Sequence, residues 1–391
     1  MKMVSYWDVS KIISIGYKKE GTMGNNNKQK YKVLDLFCGA GGFSLGFHLA
    51  GYDVIGGVEF NKAAYQSHQA NFPDGNDFLG DIQTLTDEEV IERYTGVDVI
   101  IGGPPCQGFS SANRMSYLNE ESQKRNRLFF EFIRFVKLLQ PQACVIENVP
   151  QILTKDGGFA RLAIMDILSE EGYDVNVDVL DASEYGVPEK RRRAFFVGTR
   201  TGGPFHFNSI QRLPIVTVGD ALGDLYASEG YYTDYKDEPS NAYQEFMRKN
   251  SPGLRNHSPR QHAADVLELM KEIPQGGNWK DIPESKWGGR KFSKSTHSSV
   301  YSRADEGKPS RTVTSKGDII HPHFNRQVTV REAARLQSFP DWYTFIGGNT
   351  AQLLQVGNAV PPLLSKAIAT ELRGYLQVTE EVTEEPVGVT S

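Results

Sequence analysis

From Tyr31 to about Arg200 the chain alternates short apolar runs with stretches of helical character, and this rhythm limits its possible folds more than any other feature. Short apolar runs separated by helix-length segments describe strands joined by helical crossovers, and so a mostly parallel sheet covered by helices. The expected strands are Lys32 to Phe37, Asp53 to Val58, Val97 to Ile101, Ala143 to Ile146, Val175 to Leu180 and Ala194 to Gly198. Leu128, Phe132, Phe135, Val136 and Leu139 recur at helical spacing, so one face of a helix there packs on the sheet. Thr86, followed three residues later by Glu89, has the pattern of a capping box and opens another helix.

After Arg200 helical periodicity fades, and Gly, Pro, Ser and aromatic residues accumulate as far as Phe324. Regular patterning returns at Thr329, where Glu332 completes a second capping box, and a last helix is expected to start near Pro361 and Pro362. The expected organisation is an extension over 1–30, a main α/β domain in two pieces over 31–200 and 326–378, a smaller irregular domain over 201–325, and a disordered acidic tail over 379–391. No apolar run is long enough to cross a bilayer, and the first thirty residues lack the features of a secretory signal, so a cytoplasmic, membrane-free protein is expected. The three cysteines, Cys38, Cys106 and Cys144, are odd in number and lack metal-ligand spacing, which argues against a disulfide framework and against a metal site. A net charge of -5 gives no global sign of phosphate binding, so any such surface must be local. Lys286, Arg290, Lys291, Lys294, Arg303 and Arg311 supply that local charge.

Two motifs carry chemistry. The run Asp35 to Phe43 follows an apolar strand and leads into a helix, a setting in which Gly39 and Gly41 let the backbone turn tightly and approach a ligand. Ser44 stands where a dinucleotide fingerprint would have its third glycine, which favours a smaller adenosyl cofactor over a pyrophosphate one. Glu59, twenty residues beyond Gly39 and at the end of the second strand, suits both hydroxyls of a ribose, and Phe60 beside it suits an adenine ring. Read alone, the glycines make an ordinary tight turn and Glu59 a solvated carboxylate. Their order along the chain favours the adenosyl reading. Asp81 and Ile82 add a further acidic loop position.

The second motif is Gly102-Gly103-Pro104-Pro105-Cys106-Gln107-Gly108-Phe109-Ser110, directly after the strand Val97 to Ile101. That strand places Cys106 at the carboxyl edge of the sheet, where ligands bind in open α/β folds. A lone cysteine is more often an inert core residue, but two prolines fix the backbone before this sulfur and glycines leave room for a flat substrate. A thiol at such a site has a specific use. Carbon 5 of cytosine is too poor a nucleophile to attack a methyl sulfonium until a thiolate adds to carbon 6. Such addition pushes charge toward ring nitrogen 3, and Glu147, ending the next strand, is placed to donate a hydrogen bond there if burial keeps it protonated. Enzymes that methylate exocyclic amines present Asn, Asp or Ser before Pro-Pro and an aromatic. Here cysteine occupies the aromatic's place.

With these residues in view, the chain resembles the DNA (cytosine-5) methyltransferase family of bacterial and phage modification enzymes from Lys32 to Leu376. The motifs agree in content and order: Asp35 to Phe43, Glu59-Phe60, Asp81-Ile82, the Pro-Pro-Cys loop, Arg125 to Phe129, Glu147-Asn148-Val149, Tyr185 to Arg193, Arg331 to Gln337, and Gln355 to Pro362. The resemblance implies a Rossmann-like S-adenosylmethionine-dependent core with a smaller irregular target-recognition domain over 201–325. It also implies Cys106 as nucleophile, Glu147 at ring nitrogen 3, Arg193 at the cytosine carbonyl oxygen, and Arg191 holding the catalytic loop or a phosphate. Phe37, Gly39, Gly41, Gly42, Glu59, Phe60, Asp81, Ile82, Pro105, Leu128, Asn358 and Val360 would surround S-adenosylmethionine. Gln107, Ser110, Lys291, Arg311, Thr312 and Thr314 would meet double-stranded DNA, the last three within a stretch, Pro309 to Thr314, similar to a short family signature. The loop from Gln107 to Arg125 would close behind a cytosine rotated out of the duplex.

Phe60 stands where the family often has tryptophan, and Glu189 where it usually has glutamine. A monomer is expected, with a restriction endonuclease acting on the same DNA site as a possible functional counterpart. Two alternatives stay open. An RNA methylase of similar fold would carry a Cys-Phe-Thr signature late in the chain, and no cysteine follows Cys144. A non-catalytic DNA-binding relative would not need a complete set of catalytic residues.

Overall fold

The computed structural model describes residues 30–105, 127–228, 230–293, 300–316 and 318–377. Its centre is a sheet of strands β1 (Lys32–Leu36), β2 (Asp53–Glu59), β3 (Phe78–Leu79), β4 (Val99–Gly102), β5 (Ala143–Asn148), β6 (Asp174–Asp181) and β8 (Arg192–Thr199), with β7 (Glu189–Lys190) lying outside it. The seven strands run in the order β3-β2-β1-β4-β5-β8-β6. The β3-β2, β2-β1, β1-β4 and β4-β5 pairs are parallel, and the β5-β8 and β8-β6 pairs antiparallel. All six expected strands form, and the mixed α/β class holds. The expected first strand stops one residue early because Phe37 adopts φ 63, a left-handed turn that ends the ladder. β3 is only two residues long, too short to leave a periodic signal.

The helix Arg127–Leu139 buries Phe129, Phe132, Ile133, Phe135 and Val136, each contributing roughly 1.5–3 kcal/mol when fully removed from water. Both expected capping boxes are present: Thr86 and Glu89 at the start of Asp87–Tyr94, and Thr329 and Glu332 at the start of Val330–Leu336. The last helix runs Pro362–Leu372, with proline in its first turn as expected. It packs along Gly42–Leu49 so closely that a Cβ on Gly46 would come within 2.2 Å of Ser365.

Between 201 and 325 the chain is less irregular than its composition suggests, forming short helices at Val218–Leu222, Ala242–Arg248 and Ala264–Glu272. An antiparallel pair joins β9 (Gly230–Thr233) and β10 (Leu254–His257). Three two-residue strands follow: β11 (Ser302–Arg303), β12 (Ser310–Arg311) and β13 (Ile319–Ile320). β11 pairs with β13, while β12 pairs with β7 and so stitches this region to the stretch that leads into β8. Phe205, Val216, Leu225, Tyr243 and Leu254 belong to the same apolar cluster as the sheet, whereas Leu269, Met270, Ile273, Ile282 and Ile320 form a separate small one. No helix among the described residues is long and apolar enough to cross a membrane.

Candidate active site

The carboxyl ends of β1, β2, β4 and β5 meet at one edge of the sheet, as the parallel ladder requires. After β1 the chain turns through Phe37, Gly39 (φ 57) and Gly41 (φ 88) before entering the helix Gly42–Leu49. Glu59, at the end of β2, ties this turn down. Its Oε2 accepts the Gly39 amide at 2.8 Å, and its Oε1 accepts the Asn61 amide at 2.7 Å.

A cavity of about 500 Å³ opens over this edge, and Phe37, Gly39, Glu59, Phe60, Pro105, Leu128, Asn358 and Val360 all line it, together with Glu147. A second cavity of about 270 Å³ continues from it, sharing Phe37, Phe60 and Leu128 and adding Asp81 and Ile82. A third, of about 230 Å³, shares Gly103, Pro105, Glu147 and Asn358 with the first and adds Arg191 and Arg193. Ten of the twelve residues assigned to the cofactor by resemblance thus lie on two adjoining cavities. The other two, Gly41 and Gly42, lie behind the wall. A Cβ on Gly41 would stand 2.7 Å from Tyr343 Oη, and one on Gly42 2.4 Å from the Val360 carbonyl, so close packing requires glycine at both positions.

The donor set suits an adenosyl group. Phe60 is 76% exposed, an aromatic face left open at the cavity, and a Cβ on Gly39 would meet no heavy atom within 4 Å. A carboxylate holding two backbone amides still has lone pairs for hydroxyl donors. Asp81 accepts from the Gln83 amide and side chain, and these bonds hold its carboxyl below the usual range.

In the third cavity the Arg193 Nε lies 2.9 Å from Glu147 Oε1. Burial pushes the Glu147 carboxyl up, and Arg193 and Arg191 only partly oppose it. The carboxyl's place is exclusive, because a Cβ on Gly103 would come within 3.1 Å of Glu147 Oε2. Asn148 donates to the Pro104 carbonyl at 3.0 Å, fastening the Pro-Pro segment to the end of β5. Cys106, Gln107, Ser110, Lys294 and the loop from Gln107 to Arg125 lie outside the described residues. The other two thiols are buried: burial drives Cys144 up to about 12 and Cys38 well above the usual thiol range, so neither is a ready nucleophile.

Arg191 is buried, its Nη1 3.8 Å from Glu189 Oε1 and 3.5 Å from the Val313 carbonyl. Thr312 donates to the Lys190 carbonyl, and Thr314 and Arg311 both engage Asp318. Lys291 is exposed. Arg303 requires a correction. It is 6% exposed and its guanidinium donates to the carbonyls of Met270, Ile273, His321 and Phe324 and to Asn325, so it holds the fold together and cannot reach a phosphate.

A buried polar chain behind the glycine turn was not foreseen. Asp35 Oδ2 accepts from Ser44 Oγ at 2.6 Å, His68 Nε2 lies 3.1 Å from the same hydroxyl, and His68 Nδ1 lies 2.8 Å from Asp77 Oδ2. Asp77 in turn accepts the Gly57 amide of β2 at 2.7 Å. Burial raises the Asp35 carboxyl to about 7 at the cavity wall. Ser44, which reads in the sequence only as a missing glycine, is the link in this chain. The helical spacing of Ala64, Ser67 and His68, all buried, was the one available signal.

Compared with known proteins, residues 31–374 match the model of a family described as C-5 cytosine-specific DNA methylase. The chain is 40% identical over 341 residues to the type II methyltransferase M1.HphI of Haemophilus parahaemolyticus, covering 86% of this chain and 85% of that one. It is 36% identical to the type II methyltransferase M.DdeI of Desulfomicrobium norvegicum, over 91% and 92% of the two chains. Among solved structures it resembles an Escherichia coli prophage protein titled a DNA modification methyltransferase, with TM-score 0.72, 28% identity and coverage of 88% and 99%. A looser likeness of fold extends to the Dnmt2 methyltransferase of S. pombe, with TM-score 0.52 and 16% identity over 88% and 99% of the chains.

Proposed function

The chain belongs to the C-5 cytosine-specific DNA methylase family, and from that premise we propose that it methylates carbon 5 of a cytosine within a specific double-stranded DNA sequence through a covalent bond to Cys106. The observation that carries this reading is the shared wall of the cavities: Gly103, Pro105, Glu147 and Asn358 face both the adenosyl-type site and the Glu147–Arg193 pocket. A methyl donor and a pyrimidine ring could therefore meet across one surface.

S-adenosylmethionine, when bound, supplies the methyl group. Glu59 would accept from its ribose hydroxyls and Phe60 would stack on its adenine, with Phe37, Asp81, Ile82 and Leu128 enclosing it and Pro105, Asn358 and Val360 closing the side toward the substrate. In the reaction the Cys106 thiolate forms a bond to cytosine carbon 6, and the displaced electron pair makes carbon 5 nucleophilic. Glu147 donates its proton to ring nitrogen 3 as charge arrives there. Arg193 holds that carboxyl and faces the ring carbonyl. Once carbon 5 carries the methyl group, loss of its proton to water re-forms the double bond between carbons 5 and 6 and expels the Cys106 thiolate, and ring nitrogen 3 returns its proton to Glu147.

The target cytosine must leave the stack to reach such a pocket. Residues 201–325 would read the surrounding sequence, with Lys291, Arg311, Thr312 and Thr314, and beyond the described residues Gln107 and Ser110, meeting DNA. Residues 31–200 and 326–378 would form the catalytic domain. The names of its relatives, type II methyltransferases, support a role as the protecting methylase of a restriction-modification system; it would act as a monomer in the cytoplasm. The test is transfer of labelled methyl groups to unmodified duplex DNA and, in parallel, to tRNA. Labelled duplex, blank tRNA, and loss of labelling by Cys106→Ala with cofactor binding intact are expected. Methyl transfer by that variant would overturn the mechanism.

A further inference from the structure

The helix Pro362–Leu372 begins just beyond Val360, at the catalytic cavity, and one face of it, from Leu363 to Glu371, borders a different one. That second cavity, of about 250 Å³, lies between this helix, the stretch 209–213 and Phe246, and shares no residue with the catalytic cavity. Its wall is apolar at Leu213, Phe246, Leu363 and Ala367, and Lys366 enters it from the helix.

Lys366 is the anomaly. The residue is 8% exposed, and its ammonium has no hydrogen-bond or ion-pair partner among the described residues. Burial pulls its pKa below the usual lysine range, which shows that the surroundings disfavour the charge. Glu371 lines the same cavity but makes no ion pair with Lys366, and Thr370 spends its hydroxyl proton on the Lys366 carbonyl. A concave apolar wall with one convergent cation is the makeup of a small-molecule site. The cation selects an anion. Apolar walls disfavour a strongly hydrated phosphate, and the Glu371 carboxylate disfavours a second negative charge on the ligand.

We propose that this cavity is a binding site, separate from the catalytic one, for a small organic monocarboxylate whose charge pairs with Lys366 and whose hydrocarbon body packs on Leu213, Phe246, Leu363 and Ala367. Octanoate is the probe, titrated into the full chain by calorimetry beside octanol, its uncharged counterpart. Saturable octanoate binding at least tenfold tighter than octanol is expected, with a further expected loss of tenfold or more in Lys366→Gln. Methyl transfer by that variant should equal wild type, which also shows that it is folded. Octanol binding as tightly as octanoate, no saturable octanoate binding at millimolar concentration, or undiminished binding by a folded Lys366→Gln would each overturn the proposal and leave Lys366 as a side chain that merely reaches solvent along an apolar wall.

Discussion

Glu147 sits between two demands. In the proposed mechanism ring nitrogen 3 needs a proton donor, while the Arg193 guanidinium 2.9 Å away favours the ionised form. Burial settles the direction, raising the carboxyl above its ordinary value. The protonated form therefore persists to higher pH than for an exposed glutamate, and a step that uses it fades as pH rises through that raised value. Glu147→Gln should lower kcat by roughly 10²–10⁴-fold, the usual share of a general acid, and its rate profile should lose the alkaline fall that Glu147 causes. Steady-state rates across pH for both proteins check this, and an unchanged alkaline limb in the variant would remove Glu147 from the role. At this scale the sequence was legible in where residues would sit next to a strand end, as Glu59 and Glu147 do on the cavity wall. It was illegible where partners come from separate elements. Nothing local tells that Ser44 would join Asp35 to His68 and, through it, Asp77. For the same reason the four carbonyls that occupy Arg303 could not be read ahead.

Among the elements, the helix Val330–Leu336 depends on Glu332 for more than its cap. That buried carboxylate accepts the Thr329 amide at 2.7 Å and both Arg326 Nη atoms at 2.8 and 2.9 Å. Glu332→Ala removes the buried carboxylate that the Thr329 amide and the Arg326 guanidinium share, and should cost about 3–5 kcal/mol in chemical denaturation. Thr86→Ala, at the solvent-exposed cap of Asp87–Tyr94, should cost about 1 kcal/mol. The sequence reveals both boxes alike, since spacing alone defines them, but not which is buried. The β7–β12 junction holds a second pH-dependent group. Glu189 Oε1 accepts the Val313 amide, its Oε2 has no partner among the described residues, and burial raises the carboxyl to about 7. Because the folded value lies above the unfolded one, ionising Glu189 costs the fold stability progressively from about pH 4.5 up through pH 7. Glu189→Gln, the residue usual in the family, removes that cost, so its Tm relative to wild type should rise from pH 5 to pH 8. A difference independent of pH would show that the carboxyl is not perturbed.

Over the whole molecule, alternation of strands and helices was enough to read six of the seven strands of the sheet, and most plainly the central parallel ones, whose burial on both faces leaves continuous apolar runs. The region 201–325 was harder, since its strands of two to four residues and helices of five to nine residues carry no sustained period. Its apolar residues partly join the cluster of the main sheet, a continuity that no composition shift along the chain reveals. The molecule can be understood as a frame that brings three loops, after β1, β4 and β5, to one edge, with the last helices closing the wall at Asn358 and Val360. In the proposed mechanism this frame would set a sulfur, a carboxyl and a methyl donor within reach of one base. The decisive measurement incubates the protein with S-adenosylmethionine and duplex DNA whose target cytosines carry fluorine at carbon 5, which cannot leave as a proton. A protein–DNA complex that survives denaturing electrophoresis with wild type and is absent with Cys106→Ala is the predicted result. Equal trapping of both proteins, or none with a wild-type preparation that methylates ordinary DNA, would contradict the account.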